Sequence, residues 1–157
     1  MEHKYSRAER RELPTIDGPD DAARVIKQLV CDEHVVGQLL VGLDDRGQVC
    51  GVAFTCPCDA CRDIVRTDAE ALTAVADRIG AAELVLTTFV EPSRIAPTAA
   101  DVARFEGLRV ECHTLGIELL DHILMSGHRW RSVREVSSLS DPDLNEPGAD
   151  PDASTRW

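Results

Sequence analysis

Three of the six cysteines fall within six positions, Cys56-Pro57-Cys58-Asp59-Ala60-Cys61, and Cys50 precedes them by six residues. Thiolates spaced Cys-x-Cys-x-x-Cys converge on one tetrahedral ion when a tight loop turns them inward, and Cys50, Cys112 or His113 offers a fourth ligand. Structural zinc is the chemistry this pattern suits best, ahead of an iron–sulfur cluster. A redox-active thiol pair and unligated cysteines are the alternatives. A disulfide framework is not expected in an acidic chain read as cytoplasmic.

A second group of chemical residues begins at Pro97-Thr98-Ala99-Ala100-Asp101. A Thr hydroxyl and a carboxylate three residues apart form a capping box, each satisfying an exposed amide at a helix start. Glu91 stands upstream, and His113 and the pair Asp121-His122 stand downstream. Asp121 can orient His122, although a lone histidine on a strand is more often a hydrogen-bonded structural residue. His128 falls in a turn. No serine sits in a nucleophile elbow, and no Gly-rich phosphate loop follows a strand.

The run from Pro97-Thr98-Ala99-Ala100-Asp101 to Leu115-Gly116-Ile117-Glu118-Leu119-Leu120-Asp121-His122 resembles the RadC-like branch of the JAB/MPN (JAMM) metalloprotease-type family. Its members carry His-x-His-Pro-Ser-Gly, then Pro-Ser-x-x-Asp, a helix and a Leu-Gly-Ile-x-Leu-Leu-Asp-His strand. Ile16-Asp17-Gly18-Pro19 and Leu39-Leu40-Val41-Gly42-Leu43-Asp44-Asp45-Arg46-Gly47 resemble its opening segment and first hairpin. By this register the two metal-binding histidines fall on Thr88 and Val90, the following proline on Glu91, and the serine on Thr98. Only Asp101 survives as a ligand, because a valine offers zinc nothing. The water-activating glutamate falls at or near Val36, and Glu33, three residues away, would leave the opposite face of a strand.

The resemblance implies a catalytically degenerate JAB/MPN domain, a binding or scaffold module with a protein partner, and the cysteine spacing adds a structural zinc at Cys56, Cys58, Cys61 and Cys50. One rival is a zinc-dependent hydrolase with rearranged ligands, Asp101 and Glu91 beside Thr98, joined by His113 or a cysteine. Another is a DNA-repair accessory protein. Pro57-Cys58-Asp59-Ala60-Cys61 also resembles half of the zinc deaminase signature. The other half needs His-x-Glu, and His34-Val35-Val36 lacks the glutamate.

These residues must be positioned by a mixed set of elements. Ala22, Val25, Ile26, Leu29 and Val30 recur at helical spacing after Pro19. Residues 35–43 and 49–54 flank the Asp44-Asp45-Arg46-Gly47 turn as a hairpin, and Ile64 and Val65 suggest a third strand. Thr67-Asp68-Ala69-Glu70 predicts a capped helix with Leu72, Val75, Ala76 and Ile79 inward and Gly80 as its left-handed stop. Residues 84–89 form a buried strand and 92–97 a loop. Thr98 opens a helix with Val102, Phe105, Leu108, Cys112 and Leu115 inward. Residues 119–125 form the last long strand, followed by a Ser126-Gly127 turn and a short segment over 130–133. Strands alternating with helices predict a layered α/β sandwich around a mixed β-sheet, and the family resemblance implies JAB/MPN architecture, related to that of cytidine deaminases.

At 157 residues one domain suffices. The reading is a flexible polar arm over residues 1–15, the domain over 16–136, and an acidic, Pro-containing disordered tail over 137–157. A formal charge of −11 disfavours duplex DNA, whose binding relies on Lys and Arg neutralising phosphates. Positive residues gather at Arg7, Arg10 and Arg11 and near Arg129, Arg131 and Arg134, interleaved with glutamates as on a solvated face. No apolar run approaches the ~18 residues of a membrane span, so a soluble cytoplasmic protein is expected.

Overall fold

In the segment Gly37-Gln38-Leu39-Leu40-Val41-Gly42-Leu43, consecutive residues from Leu39 onward are all buried. A strand sends alternate side chains to opposite faces, so burial at every position requires cover on both sides. The computed structural model, which describes residues 2–4, 6, 13–30, 37–55 and 68–139, supplies that cover.

Six strands form one mixed sheet: β1 (Glu2–Lys4), β2 (Gly37–Leu43), β3 (Val49–Thr55), β4 (Glu83–Phe89), β5 (Glu118–Ser126) and β6 (Arg129–Ser132), in the order β1-β3-β2-β4-β5-β6. Only β4 and β5 run parallel. Four α-helices accompany them among the described residues: α1 (Pro19–Leu29), α2 (Ala69–Ile79), α3 (Ala99–Thr114) and α4 (Val133–Leu139).

The sheet residues divide between two cores. Leu39, Val41, Leu43, Val85, Ile123 and Met125 pack with Ala22, Val25 and Ile26 of α1. Leu40, Leu84, Leu86, Leu119 and Leu124 pack with Leu72, Ala76 and Ile79 of α2 and Phe105 and Leu108 of α3. The odd and even positions of β2 thus enter different cores, as the two-residue period demands.

Local signals explain the helix boundaries. Pro19 occupies the first turn of α1, where its missing N–H costs nothing, and Asp20 and Asp21 favour that positive end. Gly80 ends α2 at φ 72°, the left-handed conformation that lacks a steric penalty only for glycine. The cap of α2 lies one residue from the expected Thr67: Asp68 accepts from the Ala71 amide at 2.9 Å. Helix α2 presses on the sheet at Gly51, where an added Cβ would come within 2.6 Å of Ile79 Cβ and 2.9 Å of the His3 carbonyl.

Three expectations are corrected. Glu2–Lys4, read as flexible arm, forms an edge strand against Gly51, Val52 and Ala53, and Arg78 on α2 clamps Glu2 with two hydrogen bonds. Helix α4 runs through Leu139, into the segment read as disordered tail. Leu115, read as part of the buried stripe of α3, is 47 % exposed. The strand suggested at Ile64 and Val65, and the tail beyond residue 139, lie outside the described residues. No helix among the described residues is long and apolar enough to cross a membrane.

Thr87 on β4 is fully buried, and its hydroxyl has no hydrogen-bond partner among the described residues. An unsatisfied buried hydroxyl costs about 1–3 kcal/mol, and valine replaces it with nearly the same shape. Thr87→Val is expected to raise the urea midpoint at unchanged slope, by about 1 kcal/mol of stability; a loss of stability would show that the hydroxyl is satisfied.

Candidate functional site

The parallel connection β4–α3–β5 leaves β4 at Phe89, passes the 3-10 turn Pro92–Arg94 and enters α3 at Ala99, and the antiparallel β2 begins beside the end of β4. Gln38 at the start of β2 pairs in register with Thr88 near the end of β4. Gln38 Nε2 donates to Thr88 Oγ1 at 3.4 Å, and Thr88 Oγ1 lies 2.9 Å from His122 Nε2 on β5. The chain of bonds closes when the Thr88 hydroxyl donates to Nε2, which assigns the ring proton to Nδ1.

His122 is only 9 % exposed. Burial holds its pKa down to about 4, with Arg104 acting in the same direction and Asp101 opposing it. The ring is therefore neutral near pH 7. A general base works best when its pKa lies near the operating pH, so this imidazole is suited to hydrogen bonding more than to proton transfer.

Asp101 lies in the first turn of α3, close enough to His122 for each to feel the other's charge. Its Oδ2 accepts from the Thr98 amide at 2.8 Å and from the Thr98 hydroxyl at 2.6 Å, while the Asp101 amide donates to Thr98 Oγ1 at 3.2 Å. The predicted capping box is complete. These Thr98 hydrogen bonds, with help from Arg94 and His122, hold the Asp101 carboxyl below its ordinary range.

Other sequence-predicted residues stand apart from this cluster. Glu91 is exposed, and its carbonyl accepts from the Arg94 amide at the one-turn 3-10 helix Pro92–Arg94. Val90 packs against the α2/α3 core. His113 is twelve residues along α3 from Asp101, about 18 Å at helical rise, and its Nδ1 pairs with Glu118. Asp101 and His113 therefore cannot share an ion. Cys50 is buried, and its thiol donates to the Gly80 carbonyl at 3.4 Å. Cys112 is buried too, and desolvation, with Glu111 and Glu118 adding repulsion, pushes its pKa up to about 11. Cys56, Cys58, Cys61, Glu33, His34 and Val36 lie outside the described residues. Among the described residues, no three His, Cys, Asp or Glu side chains form a group able to hold a metal ion.

No family model matches the chain, and no curated protein does.

Sequence reasoning singled out Thr88, Thr98, Asp101 and His122 but missed Gln38. No local signal marked it. The pairing of Gln38 with Thr88 depends on sheet register, which no local motif encodes.

Asp121, next to His122, has a structural task. Its carboxylate accepts from the Ser132 hydroxyl at 2.6 Å, the His122 amide at 2.6 Å and the Arg134 amide at 3.2 Å. Ser132 Oγ in turn accepts from the Glu135 amide at 3.0 Å, so Asp121 backs the cap that starts α4. Burial nonetheless pushes its pKa up to about 6 against these bonds.

The two neighbours impose opposite pH dependences. Asp121 binds its proton more tightly in the folded state, so its contribution falls as pH rises from about 3.8 to about 6. His122 binds its proton less tightly when folded, so its contribution rises between about 4 and about 6.5. Asp121→Asn leaves the His122 dependence alone, and that variant is expected to lose about 2 kcal/mol between pH 6.5 and pH 4 relative to the parent. His122→Gln is expected to shift stability the other way. Urea denaturation of both variants across this range measures the effect; parallel profiles for all three proteins would exclude it.

Proposed function

We propose that this chain is a catalytically degenerate RadC-like JAB/MPN domain that works as a binding or scaffold module for a protein partner. The observation that carries this reading is the hydrogen-bonded line Gln38–Thr88–His122 beside a capped Asp101. In the family register, Thr88 takes a histidine position and Asp101 the aspartate position, and Gln38 lies two residues beyond the place of the activating glutamate. A hydroxyl now occupies a position where hydrolysis would require an imidazole, and the Gln38 amide donates to it.

The residues present do not fit the family's zinc. Thr88 and Val90 supply neither nitrogen nor thiolate, and one oxygen of Asp101 serves the helix cap. What remains is a cluster of a hydroxyl, an amide and a neutral imidazole beside one carboxylate, with Arg94 and Arg104 near enough to act on Asp101 and His122. Such a set recognises polar groups by hydrogen bonding and offers no means of activating water near neutral pH. The charge of −11 makes a protein a better partner than duplex DNA. A structural zinc at Cys56, Cys58 and Cys61 belongs to the same reading, as a support for the fold and not as a catalyst.

The test is peptidase activity on isopeptide-linked substrates with and without added zinc. No turnover is expected from the parent, whereas zinc-dependent turnover abolished by Asp101→Ala would overturn the proposal. The combined replacement Gln38→Glu, Thr88→His and Val90→His is expected to acquire one additional zinc ion, lost again on Asp101→Ala.

A further inference from the structure

We propose that α4 is a proton-sensitive latch, a short helix held against β5 by one buried carboxylate, Asp121, and released more readily as pH rises. A seven-residue helix does not persist in water on its own. Tertiary contacts must therefore hold it, and they are few. It packs against α3 and β5, and among its described side chains only Val133 is fully buried. Val133 joins the core of Phe105, Leu108, Leu119 and Leu124 as a single apolar anchor.

The rest of the attachment converges on Asp121, which is fully buried on β5. Its Oδ2 accepts from the Ser132 hydroxyl at 2.6 Å and its Oδ1 from the Arg134 amide at 3.2 Å. Ser132 Oγ accepts from the Glu135 amide, so two amides that the first turn of α4 leaves open depend on this carboxylate, one directly and one through Ser132. The Arg134 guanidinium reaches back to the Leu120 carbonyl at 2.9 Å, and Ser137 donates to Glu106 of α3. Oδ1 also accepts from the His122 amide, so the carboxylate that starts α4 fixes the backbone beside the polar cluster as well.

Few charges face Asp121. Among the described residues, Arg134 of α4 is the charged side chain that acts on it. Arg109 of α3 acts on Arg134 instead, Glu106 of α3 is taken by Ser137, and Arg131 of β6 bonds the Trp130 carbonyl. Glu135 is exposed, and the His122 ring turns to Thr88 and is neutral above about pH 4. Burial therefore prevails, pushing the Asp121 pKa up to about 6 against the bonds from Ser132, Arg134 and His122. Release of α4 admits water to the carboxyl and returns it towards the ordinary value of 3.8. The docked state binds the proton more tightly, so docking is firmest at low pH and weakens as pH rises through about 6.

Native-state amide hydrogen exchange of the full chain between about pH 5 and pH 7, corrected for intrinsic rates, tests this. The α4 amides are expected to exchange through a local opening whose equilibrium constant rises roughly ten-fold over that range. Amides of β4 and β5, which open with the whole domain, should follow a flatter profile, because His122 then contributes with the opposite sign. Asp121→Asn keeps the side-chain shape without the titrating group and should abolish the rise. Val133→Ala should loosen α4 at every pH and keep the rise. An α4 opening indifferent to pH, a rise that survives in Asp121→Asn, or α4 amides that exchange only with the whole domain would each overturn the inference.

Discussion

The parallel pairing of β4 with β5 is the constraint on which the rest of the structure depends. Parallel neighbours need a crossover, and here α3 makes it. The helix must start close to the end of β4 and return the chain to β5. The Thr98–Asp101 capping box fixes that start by satisfying amides that the first turn leaves open. One short connection thus sets the placement of Asp101, the register that brings Thr88 towards His122, and the outer face of α3.

The polar groups on β5 are arranged by the same geometry. Asp121 and His122 are adjacent on a strand, but they meet different environments. Asp121 is tied to Ser132 and the start of α4, whereas His122 reaches Thr88. Both lie where burial disfavours charge, which moves the carboxyl pKa upward and the imidazole pKa downward. The result is a neutral imidazole beside a hydroxyl and an amide. This arrangement gives hydrogen bonding a fixed geometry without a group poised for acid–base work.

Much of this was legible in the sequence because its causes are local. The stripe Leu72, Val75, Ala76, Ile79 with Gly80 as its stop, and the Thr98–Asp101 cap, are read directly from spacing and residue type, and the structure shows both. The β2–β3 hairpin followed from two apolar runs around Asp44-Asp45-Arg46-Gly47. The pieces that escaped depend on distant partners. Glu2–Lys4 becomes a strand because β3 and Arg78 receive it, and a polar tripeptide carries no sign of that. Leu115 continues the spacing of the buried stripe, yet it lies at the C-cap, where the chain leaves the helix. Gln38 joins the site through register alone.

The central claim is that Asp101 serves the helix cap and not a metal. The most direct measurement compares the thermal stability of the parent and Asp101→Ala, each with chelator and with added zinc. The account predicts that Asp101→Ala costs about 1 kcal/mol, the usual worth of a helix cap, and that this difference is the same in both conditions. A zinc ion bound elsewhere would shift both proteins equally and leave the difference intact. Stabilisation by zinc in the parent that disappears in Asp101→Ala would contradict the claim, because it would make Asp101 a metal ligand.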